Sequence, residues 1–290
     1  MDVEDAYARC LRDARAHYEN FPVASVLVPA RMRPHIAAVY AFARTADDFA
    51  DEGSRTVDER LALLNSWRAR LHTASTSPAE HLPRVDGEPP HADAIFLALG
   101  TSIQRLSLPL SLFDDLLSAF EQDVRVVRYE SWYDLLDYCR RSANPVGRLV
   151  LRIAGRTDAR LDAWSDAICT ALQLTNFWQD LGVDFTRGRI YLPRETLRAH
   201  EASEDDLRVG LTPAWCDAIE DAVARTRRLF EQGSPLSTAL DGRLRYEIRA
   251  TWLGGMRILN RIERDGFDVF SHRPTLGIGD AAWIAWHLVR

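Results

Sequence analysis

Apolar residues recur at helical spacing along almost the whole chain, and the alternating Val, Ile and Thr pattern that a half-buried strand needs is nearly absent. That patterning commits the chain to an all-α fold, because a stripe of period 3.6 gathers on one side of a helix and scatters over both faces of a strand. End signals place helices over residues 2–18, with Asp2 as N-cap, from Pro34 toward a stop at Gly53, and over 57–72. Further helices are expected near 92–104, 111–120, 131–141 and 145–153, then a long one over 161–184, and two more near 213–232 and 242–264. Residues 75–90 contain Pro78, Pro83, Gly87, Pro89 and Pro90 and read as a loop. Nothing reads as a linker long enough to divide the 290 residues, and no fixed repeat is visible, so one domain over 1–290 is expected.

Charge and cysteine usage narrow the function classes. A net charge of −6 opposes binding to a phosphate backbone, which removes nucleic acid as a partner. Cys10, Cys139, Cys169 and Cys216 are widely spaced and form no C-x-x-C pair, so reduced structural thiols are expected. The acidic N-terminus, with Asp2, Glu4 and Asp5, lacks the features of a signal peptide, and a cytoplasmic location follows. No apolar stretch reaches the roughly 20 residues that span a bilayer. The tail around Trp283 and Trp286 is a candidate for peripheral contact with the inner face of the membrane, since tryptophan favours the interface. The competing reading has these residues capping the helical core.

Chemistry concentrates in two acidic segments. Asp47, Asp48, Asp51 and Glu52 crowd the end of a helix, where the macrodipole is already negative. Asp47 and Asp51 are one turn apart on one face, an arrangement that a hard divalent cation would stabilise and that magnesium, shared with a substrate phosphate, would suit. A lone cluster of this kind is usually a solvated helix end. A second one, Asn176, Asp180 and Asp184 at one-turn intervals with Gln173 before them, lies in apolar, Trp-containing surroundings, and two carboxylate helices could grip one polyanion through metals. Tyr40 and Arg44 precede the first segment, while Arg187, Arg189 and Tyr191 follow the second. These could hold phosphate oxygens, although singly each fits a surface ion pair as well.

The motifs running from Tyr40 through Arg44 to Asp51, Tyr138-Cys139 followed by Val146-Gly147, and Gln173 through Asp184 with Arg189-Ile190-Tyr191 after it resemble the squalene and phytoene synthases. The resemblance covers nearly the whole chain and implies a single-domain isoprenoid-synthase helical fold with a central catalytic cavity. It implies more than one Mg2+ at Asp47, Asp51, Asn176, Asp180 and Asp184, with Asp47, Asp51, Asp180 and Asp184 catalytic. It also implies isoprenoid-diphosphate contacts at Tyr40, Arg44, Tyr138, Gln173, Arg189 and Tyr191.

Residues 20–25, 33–35, 142–147 and 176–180 look most like the hopanoid-pathway branch, which turns presqualene diphosphate and water into hydroxysqualene and diphosphate. Against condensing members, a small hydroxyl residue is missing near Asn20, Gln179 stands where many carry arginine, and Gly255 stands where tyrosine is frequent and is expected to leave room beside a cation. No G-x-G-x-x-G element is present and no strand could carry one, so no nicotinamide is expected. The other readings are a condensing synthase that joins two prenyl diphosphates, and a non-catalytic relative that serves as an assembly or lipid-binding factor. The retained acids oppose the second. Association with other squalene-pathway enzymes is a further expectation of the resemblance.

Overall fold

The helical periodicity is realised in a computed structural model that describes residues 1–16, 27–51, 53–80, 82–270 and 272–288. The described residues are all-α, with no strand and one isolated bridge between Arg128 and Ile190. Tyr18, the 20–25 segment that resembles the hopanoid branch, and Glu52 lie outside them. Two compact units divide the chain, Met1–Arg125 with Pro145–Asp158, and Val126–Asn144 with Ala159–Arg290.

The first unit is built around α2 (Arg33–Asp51), which packs against α1 (Val3–Ala16), α3 (Val57–Thr76), α4 (Ala92–Leu106) and α5 (Leu110–Asp123). Phe42, Ala46 and Phe49 bury one side of α2, and Phe42 meets the rings of Trp67, Phe96 and Phe113. The Trp67 indole N–H donates to the Phe42 carbonyl at 3.2 Å, which fixes the height of α2 against α3. The start of α3 is set by a reciprocal Thr56–Glu59 capping box, and the helix runs one turn past the expected end at His72. The loop that follows is tied down by Glu88, whose carboxylate accepts from Ser66 at 2.8 Å and faces the buried Arg70. The short α7 (Asn144–Ile153) falls largely in this unit.

In the second unit α8 (Ala159–Gln179) packs against α6 (Trp132–Ser142), α11 (Pro213–Gly233), α12 (Leu236–Ala239) and α13 (Gly242–Arg264). The Trp178 indole donates to Thr226 Oγ1 at 2.8 Å, and Trp252 donates to the Phe230 carbonyl at 2.8 Å. The long helix expected over 161–184 is interrupted at Asp180, and α9 (Leu181–Thr186) continues beyond it. The short α10 (Arg194–Ala199), a 3-10 turn at Glu204–Arg208, α12 and α14 (Ile278–Leu288) are additions to the sequence reading. Too few residues or too many glycines surround them to leave a periodic trace. No helix among the described residues is long and apolar enough to cross a membrane.

Gly255 corrects an expectation. Rather than leaving room, it lies buried where α13 meets α8 and α11, and a Cβ there would collide with the Phe230 ring and come within 2.9 Å of Leu172. The neighbouring Gly254 has only Leu276 nearby, at an ordinary 3.6 Å. Gly255→Ala is therefore expected to destabilise the fold by about 1–3 kcal/mol through overpacking. Gly254→Ala should be neutral or stabilise by up to about 1 kcal/mol through helix propensity. Thermal melts of the pair check this, and equal melting temperatures would refute the packing account.

Candidate active site

The apolar anchoring of α2 turns its opposite side outward. Tyr40, Arg44, Asp47 and Asp51 follow one another at three- or four-residue intervals and share that side. Arg44 pairs with Asp47 at 3.5 Å and Asp48 at 2.8 Å, so part of the negative charge at this helix end is met by the helix itself. Arg60 of α3 meets another part, donating to the carbonyls of Ala50 and, at 3.0 Å, Gly53, where the helix dipole is negative. Guanidinium groups thus supply positive charge locally to the acidic cluster, and Asp51 lies exposed at the helix end. Beside this face lies a cavity of about 380 Å3 lined by Arg9, Tyr40, Arg44, Asp48, Arg55 and His91 among others. Burial holds the His91 imidazole below its ordinary pKa, so the arginines carry the positive charge there at neutral pH.

In the second unit, the interruption at Asp180 preserves the one-turn register. Asp180 N–H donates to the Asn176 carbonyl at 2.9 Å and Asp184 N–H to the Asp180 carbonyl at 2.8 Å. Asn176, Asp180 and Asp184 therefore remain neighbours, with the Asn176 amide donating to Asp180 Oδ2 at 2.9 Å and Gln173 half-buried just before them. After α9 the chain turns through Gly188, whose φ of 77° suits glycine, and the Arg189 N–H returns to the Asp184 carbonyl at 2.9 Å. Tyr191 then stacks on Phe177 of α8 with centroids 3.7 Å apart and planes 5° from parallel. Tyr138 of α6 and Tyr129 join the same aromatic group. Tyr138 and Tyr191, far apart in sequence, are thereby brought together. Their rings are committed to the stack, and only their hydroxyls remain for polar contacts.

Arg273 is the feature that sequence reasoning missed. It donates through Nε to Asp180 Oδ1 and through Nη2 to Asp180 Oδ2 at 3.2 Å, a bidentate ion pair across 93 residues. The same segment is held by Gln179, whose amide donates to the Pro274 carbonyl at 2.5 Å, and by Phe270, whose ring lies 5.9 Å from that of Phe185. No local pattern in a Gly- and Pro-containing tail announces such a partner.

Among the described residues no trio of His, Cys, Asp and Glu side chains gathers into a ready-made metal cage. Magnesium does not require one, since it keeps several waters and commonly takes one or two protein carboxylates together with substrate phosphates. The side chains present would suit that ion: they offer carboxylate and amide oxygens, and a guanidinium already stands against Asp180 in the role of counter-cation.

A sequence model of squalene/phytoene synthases matches residues 14–279. The hydroxysqualene synthase of Zymomonas mobilis is 40% identical over 245 residues, 83% of this chain and 78% of that protein. The hydroxysqualene synthase of Sinorhizobium fredii is 37% identical over 81% of this chain and 76% of its own. The crystal structure of squalene synthase HpnC from Alicyclobacillus acidocaldarius superposes with a TM-score of 0.81 at 38% identity, covering 92% of this chain and 96% of that one.

A cation that uses Asp180 must compete with Arg273. Arg273→Ala is expected to tighten magnesium binding by about two- to fivefold, the equivalent of a partly exposed ion pair. Calorimetric titration of the substrate-free protein measures this, and an unchanged affinity would show that the guanidinium does not compete.

Proposed function

The chain belongs to the squalene/phytoene synthase family, and from that premise we propose that it converts presqualene diphosphate and water into hydroxysqualene and diphosphate. The observation that carries this reading is the identity of 37–40% to hydroxysqualene synthases over about four fifths of the chain. Both acid-rich segments are kept whole alongside it. The carbon–oxygen bond to diphosphate breaks first, the resulting cyclopropylcarbinyl cation rearranges, and water adds to it with loss of a proton.

Asp47 and Asp51, with Asn176, Asp180 and Asp184, would hold Mg2+, which supplies positive charge against the departing diphosphate. Arg44 and Arg189, with the hydroxyls of Tyr40, Tyr138 and Tyr191 and the amide of Gln173, are assigned to the diphosphate and its approach. Apolar packing around the cation would keep bulk water away while it rearranges. No nicotinamide takes part, so reduction belongs to a separate enzyme that accepts the alcohol. Substrate and product are long hydrocarbons, and exchange with a bilayer at the inner face of the membrane is part of the same reading.

Asp47→Ala, Asp51→Ala, Asp180→Ala and Asp184→Ala should each lower turnover about a hundredfold or more, because several kcal/mol of charge stabilisation is lost. Their thermal melts should remain close to that of the parent, since ligands rather than core groups are removed. Chelation should abolish turnover and magnesium restore it, and full activity in chelator would rule out the metal assignment.

With presqualene diphosphate and magnesium alone, the product should be a tertiary C30 alcohol that carries oxygen-18 from labelled water, unaffected by NADPH. Squalene formed only with NADPH, or efficient presqualene diphosphate formation from farnesyl diphosphate, would overturn the hydroxysqualene assignment in favour of another member activity.

A further inference from the structure

The surface helix α14 (Ile278–Leu288) is built inside out. In an ordinary surface helix the apolar stripe faces the protein and the charges face water. Here the one carboxylate in the helix, Asp280, is 2% exposed and points inward. Arg257 of α13 donates to its Oδ1 at 2.7 Å, Arg261 reaches its Oδ2, and the Gly277 N–H donates to Oδ2 at 2.8 Å. The Gly277 N–H and the two guanidinium groups hold this carboxyl below the usual carboxylate range. On the same inner side, Arg257 lies 5.0 Å over the Trp283 ring, which stacks with His287 at 3.8 Å. The inner face is therefore the polar one.

The outer face carries Ile278, 93% exposed, and Trp286, 56% exposed, with Ala281, Ala282 and Ala285 also exposed between them. Leu276, 44% exposed, extends the strip just ahead of the helix. Single exposed apolar residues are commonplace, whereas an uncharged strip of them on one helix marks a contact surface.

We propose that α14 is a lipid-docking helix, whose outer strip of Leu276, Ile278, the three alanines and Trp286 rests in the interfacial layer of a bilayer while the Asp280 clasp fixes it to α13. Its size decides between occupants. Eleven residues span about 16 Å, and a strip about 10 Å wide offers on the order of 160 Å2, far below the ~800 Å2 per partner of a stable protein interface. A bilayer needs no such area, since it accepts a short apolar face with tryptophan at the headgroup level. The chain's net charge of −6 leaves little attraction to anionic lipid, so the docking is apolar in character. The choice of lipid rests on the proposed reaction, because a C30 substrate and product reside in the bilayer and a helix lying on it shortens their path.

The test is flotation of the full chain with neutral phosphatidylcholine vesicles at low and high salt. Binding should persist in salt, and Ile278→Asp with Trp286→Ser should lower partition about tenfold or more. Val209→Ser, which removes an equally exposed apolar residue elsewhere, should leave it unchanged. Trp286→Phe should keep binding but lose much of the fluorescence quenching by brominated lipid. Unaltered partition of the folded double variant would overturn the proposal. So would a parent that fails to float, and a change of oligomeric state on substitution would then assign the strip to a second copy. Turnover of presqualene diphosphate in detergent is measured separately. Its absence in the parent would defeat the proposed reaction without altering the flotation result, and its survival in the double variant is expected.

Discussion

Carboxylates one turn apart on a single helix face repel each other, and the fold must absorb that repulsion twice. It does so by anchoring the opposite side of each helix first. On α2 the anchor is Phe42 and Phe49 against Trp67, and on α8 it is Trp178, whose indole donates to Thr226. Burial of an aromatic side chain contributes about 1.5–3 kcal/mol, whereas a like-charge pair at one-turn spacing costs only about 0.2–0.5 kcal/mol. The anchors win by a wide margin, and the acids are held where they are because the other side of the helix has no alternative place to go.

This explains what the sequence made readable. The anchoring residues and the acids lie on the same helices at regular intervals, so end signals, apolar periodicity and the spacing of the acids together located α2, α8 and both acidic faces. The interruption at Asp180 was hidden because its hydrogen-bond register continues through it, and a small change of backbone angle leaves the one-turn spacing of Asn176, Asp180 and Asp184 intact. Arg273 was out of reach for a different reason. It meets Asp180 across 93 residues from a segment without periodic pattern, and arginine is so abundant in this chain that one more carried no signal. Gly255 was misread because the absence of a side chain looks the same in sequence whether it leaves a space or admits a neighbouring ring. Here Phe230 and Leu172 fill the position. The tail was legible as apolar, yet its polarity could not be oriented until Asp280 was seen to face α13.

Arginine supplies counter-charge at Asp280, at Asp180 and at the Asp47–Asp48 pair, but the settings differ in a way that bears on function. Asp280 is nearly inaccessible and is satisfied by two guanidinium groups and a backbone N–H. Removing a partner from such a site leaves a buried charge uncompensated, so this clasp is a fixed structural element. Asp180 pairs with the guanidinium of Arg273, whose side chain is about half exposed. Arg44 pairs with both Asp47 and Asp48, and both acids remain partly open to solvent. Exposed pairs of the second and third kinds contribute at most about 1 kcal/mol.

The ordering follows from burial and partner number, and it separates scaffold from site. A hard divalent cation brings more charge than a guanidinium and tolerates water in its remaining positions, so it can take over a carboxylate from a half-exposed arginine but not from a doubly paired buried one. On the proposed metal assignment, an arginine displaced from Asp180 would become available to an anionic leaving group. Until such an exchange, the Arg273 guanidinium offsets part of the negative charge on the acidic face.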